Sequence, residues 1–160
     1  MSQIPIILDC DPGHDDALAI ILAAYNPKID LRGIVTVSGN GAIDKVTYNA
    51  LSICTLAKIR VPVAQGSGVS ILGSAEAATD IHGETALDGA PLPKPNFELS
   101  KESGIELMAR LVRESSEQIT IVATDGAVPA HVLKLQALVS SVLWVRNVFM
   151  LFVGLQCAAK

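Results

Sequence analysis

The first 125 residues alternate between short β-branched runs and longer helical patterns, and this alternation constrains the fold more than any other feature of the chain. The predicted strands are Ile4–Leu8, Ile29–Val37, Val61–Ala64 and Ile119–Ala123. The predicted helices are Asp15–Tyr25, Asp44–Lys58 and a third that opens at the capping box Ser103-x-x-Glu106 and runs to about Ser115. Strands separated by helices imply right-handed βαβ units and therefore a parallel sheet.

The composition supports the same architecture. Half of the 160 residues are apolar and only 4% are aromatic, which suits a buried parallel sheet covered by aliphatic helices. A chain of this length fits one domain with an adequate core. We therefore predict an α/β fold, with an open, mostly parallel, Rossmann-like sheet and flanking helices.

Charge and cysteine usage exclude several classes of protein. A net charge of −4 and the lack of any Lys/Arg cluster argue against a nucleic-acid partner. Three widely spaced cysteines predict neither a disulfide framework nor a zinc site, so we expect reduced thiols. The N-terminus lacks a basic region and a long apolar run. We expect no signal peptide and a cytoplasmic protein.

The composition changes after residue 125, where we place a boundary between residues 1–125 and a divergent tail, 126–160. All sixteen acidic residues lie at or before Asp125, and Ala137–Cys157 is nearly all apolar with one charge, Arg146. A membrane anchor would bury that arginine at a cost of roughly 2.5 kcal/mol or more. We therefore favour a buried helix followed by a buried strand, Val142–Val153, and expect no membrane association. A third interpretation is a tail foreign to the domain, as a frameshift would produce.

Four carboxylates crowd into residues 9–16, directly after the first predicted strand. Two carboxylates about 4 Å apart repel by roughly 4 kcal/mol at an effective dielectric near 20, so either some are protonated or the loop holds a cation. Oxygen ligands suit Ca²⁺ or Mg²⁺ rather than zinc. Asp15 and Asp16 also fit an ordinary acidic helix N-terminus. Asp9 and Asp11 precede the helix and have no such explanation, which favours a functional site.

Three polar segments follow predicted strands, and in a parallel sheet the carboxyl ends of the strands form the ligand-binding edge. These segments are Asp9–Asp16, Ser38–Asn40 and Ala123–Thr124. We expect them to converge on one rim. His82 lies in the long loop from Gln65 to Leu99, where a histidine is usually just solvated but could contact a substrate ring beside a carboxylate site.

Two other kinds of site also place several carboxylates close together in the sequence. An EF-hand is excluded, because the sixth and twelfth positions counted from Asp9 are His14 and Ile20 instead of Gly and Glu. A Mg²⁺-dependent phosphatase of the haloacid-dehalogenase type also carries Asp-x-Asp after a first strand. Small hydroxylated residues usually follow that motif, whereas Pro12-Gly13 and an Asp pair follow here. The phosphatase interpretation is therefore the stronger of the two alternatives.

Taken together, several motifs resemble the inosine-uridine-type nucleoside hydrolases, in particular the bacterial ribonucleoside hydrolases. They are Ile7-Leu8-Asp9-Cys10-Asp11-Pro12-Gly13-His14-Asp15-Asp16-Ala17, Val37-Ser38-Gly39-Asn40, Asn49-Ala50, Ile81-His82-Gly83-Glu84 and Ile119-Thr120-Ile121-Val122-Ala123-Thr124. The match runs in order over residues 3–124. The Asp-x-Asp-Pro-Gly-x-Asp-Asp motif is highly specific.

The resemblance implies hydrolysis of the N-glycosidic bond of a ribonucleoside to ribose and a free base, a reaction of purine and pyrimidine salvage. It also implies a homo-oligomer and a set of residue roles. By similarity, Asp11, Asp16 and the backbone carbonyl of Thr124 bind Ca²⁺, and Asp11 is also the general base for a Ca²⁺-bound water. Asp15 and Asn40 hold ribose hydroxyls. Asp9 supports the metal loop, and His82 lies near the nucleobase of the substrate.

The resemblance stops after Thr124. Family members usually continue Gly-Pro-Leu-Thr-Asn and later supply Met-Gly-Gly, Glu-Phe-Asn and His-Asp motifs, whereas this chain continues Asp125-Gly126-Ala127-Val128. We therefore expect low or absent turnover from this chain alone, together with exposed sheet edges and apolar helix faces. An alternative role is an inactive fragment that associates with a full-length hydrolase.

Overall fold

The computed structural model describes residues 2–68, 85–89, 91–124 and 148–152. In this part of the chain, strands and helices alternate as the sequence predicts. The strands are β1 (Ile4–Cys10), β2 (Ile29–Thr36), β3 (Val63–Gln65), β4 (Ile119–Ala123) and β5 (Val148–Phe152). The helices are α1 (His14–Tyr25), α2 (Ile43–Leu56) and α3 (Gly104–Glu114).

The five strands form one parallel sheet in the order β3-β2-β1-β4-β5. The chain moves outward from β1 to β3 and then crosses back to β4 on the other side of β1, so the connection reverses direction between β1 and β4. In an open α/β sheet, ligands bind at the carboxyl ends of strands at such a reversal. The predicted Rossmann-like architecture is confirmed, and the aspartate loop lies at this point.

Alternate residues of β1 face opposite sides of the sheet, as the two-residue period of a strand requires. Ile6 and Leu8 pack with α1 and α2 on one face, whereas Ile7 packs with α3 on the other. Both clusters are aliphatic. The site at the rim therefore stands on a sheet that is packed from both sides.

Local sequence signals explain the element boundaries. Ser103 caps α3 through a reciprocal capping box with Glu106, as predicted. β3 begins at Val63 rather than at Val61, because Pro62 has no N–H for the ladder, although its carbonyl accepts from Ile34 across 3.0 Å. β1 continues past Leu8 to Cys10, so Asp9 belongs to the strand.

The apolar tail contributes a strand to the sheet. β5 pairs in parallel with β4, from Ile119↔Val148 to Ala123↔Phe152. This confirms the strand expected within Val142–Val153, whereas the helix expected before it lies outside the described residues. None of the helices described is both long enough and apolar enough to cross a membrane.

Candidate functional site

The acidic segment 9–16, which runs from the end of β1 into the first turn of α1 and is called the acidic or aspartate loop, buries three of its four carboxylates. Asp9, Asp11 and Asp16 are 0%, 6% and 2% exposed, whereas Asp15 is exposed. Pro12 and Gly13 turn the chain from the strand into α1, and Gly13 occupies the N-cap without a side-chain cap. Burial of charged groups to this degree costs free energy unless hydrogen bonds, a proton or a cation compensates.

Asp11 and Asp16 lie in direct contact. The Asp11 backbone N–H donates to Asp16 Oδ2 across 3.0 Å, and the two side chains are also hydrogen-bonded to each other. Burial raises the pKa of Asp16, and the charge of Asp15 adds to this, whereas hydrogen bonds with Thr124 and Asp11 partly offset it. Two carboxyl groups this close need either a shared proton or a cation between them.

The loop after β2 holds Asp11 from the other side. The Asn40 backbone N–H donates to Asp11 Oδ2 across 2.6 Å, and Asn40 Nδ2 donates to the Asp11 carbonyl across 3.0 Å. Gly39 permits this approach, because a Cβ there would lie 2.1 Å from Asp11 Oδ2. The Asn40 side chain therefore orients the Asp11 backbone, a role that its sequence motif did not reveal.

Thr124 joins the loop from the end of β4. Its backbone N–H donates to the Asp9 carbonyl across 3.0 Å, and its hydroxyl contacts the same oxygen at 3.3 Å. The Thr124 side chain also takes part in a hydrogen bond with Asp16. The structure thus brings Asp9, Asp11 and Asp16 together with Asn40 and Thr124 at one rim, as the strand ends predicted.

The donor chemistry of this cluster fits a hard cation. Asp11 and Asp16 offer carboxylate oxygens in mutual contact, and Thr124 adds neutral oxygens beside them. A Ca²⁺ ion takes six to eight oxygen ligands, so these residues supply part of a shell. Within the described ranges, no three His, Cys, Asp or Glu side chains are grouped so that they could hold a metal ion. Further ligands would have to come from elsewhere.

Asn49 is a site-supporting residue that sequence reasoning quoted only as part of a motif. It is 5% exposed on α2, and its Nδ2 donates to the Pro12 carbonyl across 3.2 Å and to the Thr85 carbonyl across 2.9 Å. One amide therefore links the aspartate loop to the part of the long loop around Thr85. Thr47 and Ser52 are also buried on this helix, so the sequence carried no signal that singled out Asn49.

His14 makes a second link to the same segment. It is exposed, and its Nε2 lies 2.8 Å from the Asp88 carbonyl. His82, the predicted base-side residue, lies outside the described residues. A cavity of about 570 Å³ opens between α2 and this segment, where Tyr48, Asn49 and Leu87 are among the lining residues. Among the residues that the structure describes, none of the predicted site residues lines it.

Cys10 sits inside the acidic loop but is fully buried in the core. Burial raises the pKa of its thiol well above the ordinary value, and the charges of Asp16, Asp9 and Asp11 raise it further. A thiolate is therefore strongly disfavoured at this position. Burial and the neighbouring carboxylates together therefore argue against a nucleophilic role for Cys10.

Comparison with known proteins identifies relatives for most of this chain. The model of the inosine-uridine preferring nucleoside hydrolase family matches residues 6–126. The pyrimidine-specific ribonucleoside hydrolase RihA of Salmonella arizonae is 45% identical over 122 residues, which cover 76% of this chain and 39% of the relative. The chain thus spans about two fifths of the length of that relative.

Two solved structures share the fold. A plant nucleoside hydrolase, PpNRh1, superposes with a TM-score of 0.78 and 25% identity over 93% of this chain and 47% of its own. A purine-preferring ribonucleoside hydrolase from Gardnerella vaginalis gives a TM-score of 0.69 and 27% identity, covering 75% of this chain and 40% of its own.

Proposed function

Since the chain belongs to the inosine-uridine preferring nucleoside hydrolase family, we propose that it forms the acidic half of a site that hydrolyses the N-glycosidic bond of ribonucleosides. The products are ribose and a free base. The observation that carries this proposal is the buried contact between Asp11 and Asp16, with Asn40 on its other side. The family match favours this function over the haloacid-dehalogenase alternative.

Asp11 is proposed as the general base. Its carboxyl group is held by the Asn40 N–H, which limits rotation and aims the remaining oxygen. A base must be positioned within hydrogen-bonding reach of the water that it deprotonates. Asp11 would accept a proton from the attacking water as the water oxygen bonds to the anomeric carbon. The electron pair of the broken C–N bond leaves with the nucleobase of the substrate, and this leaving group must then be protonated.

The surrounding carboxylates are suited to the charge that develops in this reaction. Cleavage of a glycosidic bond builds positive charge on the sugar ring, as in an oxocarbenium ion. A site lined with fixed negative charge stabilises that state more than it stabilises a neutral substrate. Asp15, exposed at the mouth of the loop, and Asn40 would hold ribose hydroxyls, and Asp9 would support the loop from β1.

Enzymes of this family are generally metal-dependent, and we propose Ca²⁺ as the ion here. Asp11, Asp16 and the Thr124 carbonyl would hold it, since their oxygen donors suit a hard cation. Bound Ca²⁺ would supply positive charge that orients sugar hydroxyls and lowers the pKa of water. His82 would lie on the side of the leaving base. A ribonucleoside is the proposed substrate, and a cytoplasmic homo-oligomer is the proposed state.

Calorimetric titration of the full chain with Ca²⁺, with and without ribose, tests this proposal. We expect binding that ribose strengthens and that Asp11→Asn abolishes. Asp44→Asn is the matched control, because Asp44 is an exposed aspartate in the first turn of α2 and should leave binding unchanged. Release of ribose from uridine and inosine is then measured. A folded chain that binds neither Ca²⁺ nor ribose would refute the proposal.

A further inference from the structure

The amino-terminal rim of the sheet, opposite the acidic loop, carries a second cavity. It has a volume of about 340 Å³ and opens where β1 and β2 begin and α1 and α2 end. Its lining includes Tyr25, Asp30, Lys58 and Arg60. Because β1 is seven residues long, roughly 20 Å separate the two rims of the sheet. A ligand bound in this cavity would therefore not contact the acidic loop.

The charge of this cavity is positive. Lys58 and Arg60 form no ion pair with a carboxylate among the residues that the structure describes. Asp30 is the one acid among the described lining residues, and its carboxylate already forms an ion pair with Arg32. The two remaining cations stand out in a protein with a net charge of −4. A concave site with charge of one sign attracts ligands of the opposite sign, so the cavity favours an anion.

Lys58 has a backbone conformation that glycine adopts more readily. It follows the end of α2 with a φ of 56°. The Lys58 N–H donates to the Thr55 carbonyl across 3.2 Å, and the Ile59 N–H donates to the Cys54 carbonyl across 2.8 Å, which is the Schellman arrangement at a helix end. Glycine is the usual residue at this position, because a Cβ is disfavoured in the left-handed region. A lysine at such a position indicates a role for its side chain.

Capping of α2 does not account for this lysine. A cation near a helix C-terminus can stabilise carbonyls that lack a donor. The carbonyls of Cys54 and Thr55 already accept from the Schellman N–H groups. The Ala57 carbonyl accepts from the Tyr25 hydroxyl. The end of α2 is therefore closed by other donors, and the charge of Lys58 is available to the cavity.

Arg60 and Tyr25 are held in place by contacts of their own. The Arg60 guanidinium lies over the Phe97 ring, with its Cζ 5.2 Å from the ring centroid. This cation–π contact orients the guanidinium through its flat face, whereas its N–H groups point outward in its plane. Tyr25 is 64% exposed, and its hydroxyl is anchored at Ala57. The cavity therefore combines two cations with one fixed aromatic ring.

We propose that this cavity binds a nucleoside monophosphate. The phosphate group lies between Lys58 and Arg60, because a guanidinium offers two parallel N–H donors to phosphate oxygens and an ammonium group adds a compact charge. The planar ring of the ligand packs on Tyr25. The cavity is within the size range of small-molecule sites and larger than inorganic phosphate needs. This inference does not depend on hydrolysis or on metal binding.

Equilibrium dialysis of the 160-residue chain against adenosine monophosphate (AMP), without divalent cations, tests the proposal. We expect one saturable site, and Lys58→Gly and Arg60→Gln should each raise its dissociation constant at least tenfold. Lys28→Gln is the matched control, because Lys28 is an exposed lysine at the same rim that does not line the cavity. It should change the constant less than twofold. Lys58→Gly should not lower the Tm, since glycine suits this backbone conformation.

Two further variants separate the parts of the ligand and the two sites. Tyr25→Leu should weaken the binding of AMP and leave the binding of inorganic phosphate unchanged, because only the ring of the ligand packs on Tyr25. Asp11→Asn should leave AMP binding unchanged, because the acidic loop lies at the opposite rim of the sheet. The failure of this proposal can therefore be distinguished from the failure of the proposed hydrolase function.

Four results would overturn the proposal. A folded chain that does not bind AMP has no such site. Equal losses in Lys28→Gln and Lys58→Gly would mean that the general charge of this rim attracts the anion. Inorganic phosphate that binds as tightly as AMP, or AMP binding that Tyr25→Leu leaves unchanged, would exclude a nucleoside monophosphate as the specific ligand. Loss of AMP binding in Asp11→Asn would place the ligand at the acidic loop.

Discussion

The backbone N–H of Asp11 donates to Oδ2 of Asp16 across 3.0 Å, so the end of β1 and the first turn of α1 close on each other around two buried carboxylates. This contact makes the acidic loop a compact unit rather than a flexible run of charges. It also creates an electrostatic conflict, because the two side chains meet with little solvent to screen them.

Asp16→Asn should raise the thermal stability of the metal-free chain and weaken its Ca²⁺ binding. Removal of a buried charge whose pKa is raised by burial should raise the Tm of the metal-free chain by about 2–4 °C, roughly 1 kcal/mol. The same change should weaken Ca²⁺ binding at least tenfold. Calorimetric unfolding in EDTA and Ca²⁺ titration measure the two effects. Asp44→Asn, the exposed helix-start control, should leave Ca²⁺ binding unchanged and should not raise the Tm, because Asp44 accepts from Gln65 and favours the start of α2. A loss of metal-free stability in Asp16→Asn would contradict this account.

Gly39→Ala should displace Asp11. The added Cβ would lie 2.1 Å from Asp11 Oδ2, so either the carboxyl group or the loop after β2 must move. Overpacking of this kind costs about 1–3 kcal/mol, and loss of the Asn40 contact should weaken Ca²⁺ binding. Gly68→Ala is the control, because its Cβ would come no closer than 3.3 Å to its nearest neighbour, the Ile43 Cγ2 methyl group, so a far smaller shift accommodates it. Urea unfolding compares the variants, and equal stability of both would exclude the close approach at Gly39.

Asn49→Asp should break the link between the aspartate loop and the part of the long loop around Thr85. The carboxylate has the same shape but no N–H, so the carbonyls of Pro12 and Thr85 lose their donor and face a negative charge. We expect a loss of about 1–3 kcal/mol in the free energy of unfolding. Thr55→Val removes two exposed hydrogen bonds with Asn96 from the same helix and should cost less, because water can replace both. Chemical denaturation at neutral pH measures the free energy of unfolding of both variants. Nearly equal losses in Asn49→Asp and Thr55→Val would argue against a linking role for Asn49.

The capping box predicts a pH dependence with a defined sign. The hydrogen bonds from Ser103 lower the pKa of Glu106 below its ordinary value of 4.5. An acid with a lowered folded pKa stabilises the fold above its unfolded pKa, and that contribution disappears as pH falls through the folded value. Urea unfolding from pH 7 downward should show this loss in the native chain but not in Glu106→Gln. Ser103→Ala should lower the free energy of unfolding by about 1 kcal/mol at neutral pH. Ser115→Ala, at the other end of α3, should lower it by less.

The buried thiols should resist modification. Burial raises the pKa of Cys54 to about 12 and that of Cys10 well above its ordinary value, and both side chains are fully buried. In a Cys157→Ser background, a thiol reagent should react at least 1,000-fold more slowly with the folded chain than with the chain in denaturant. Rapid labelling of the folded chain would show that the core around β1 opens readily.

The sequence predicted those helices and strands whose signals come from residues close together in the chain. The strand–helix alternation predicted the parallel sheet, and Ser103 with Glu106 predicted the start of α3, because both depend on residues close together in the chain. The specific spacing of the acidic loop identified the family. The strand ends also predicted that Thr124 would meet the aspartates, since parallel strands share one rim.

What the sequence by itself determined was therefore the order of elements, the acidic rim and the family. Only the tertiary structure decided which donor holds which acceptor: Asn40 reaches Asp11 across 29 positions, and Asn49 reaches Pro12 across 37. It also decided that the apolar side chains of Leu18 and Leu22 on α1 face outward. Local propensity and periodicity act over a few residues, whereas these contacts depend on the order of strands in the sheet and on the packing of α2 beside α1. Close approaches such as Gly39 to Asp11 exist only once those layers are assembled.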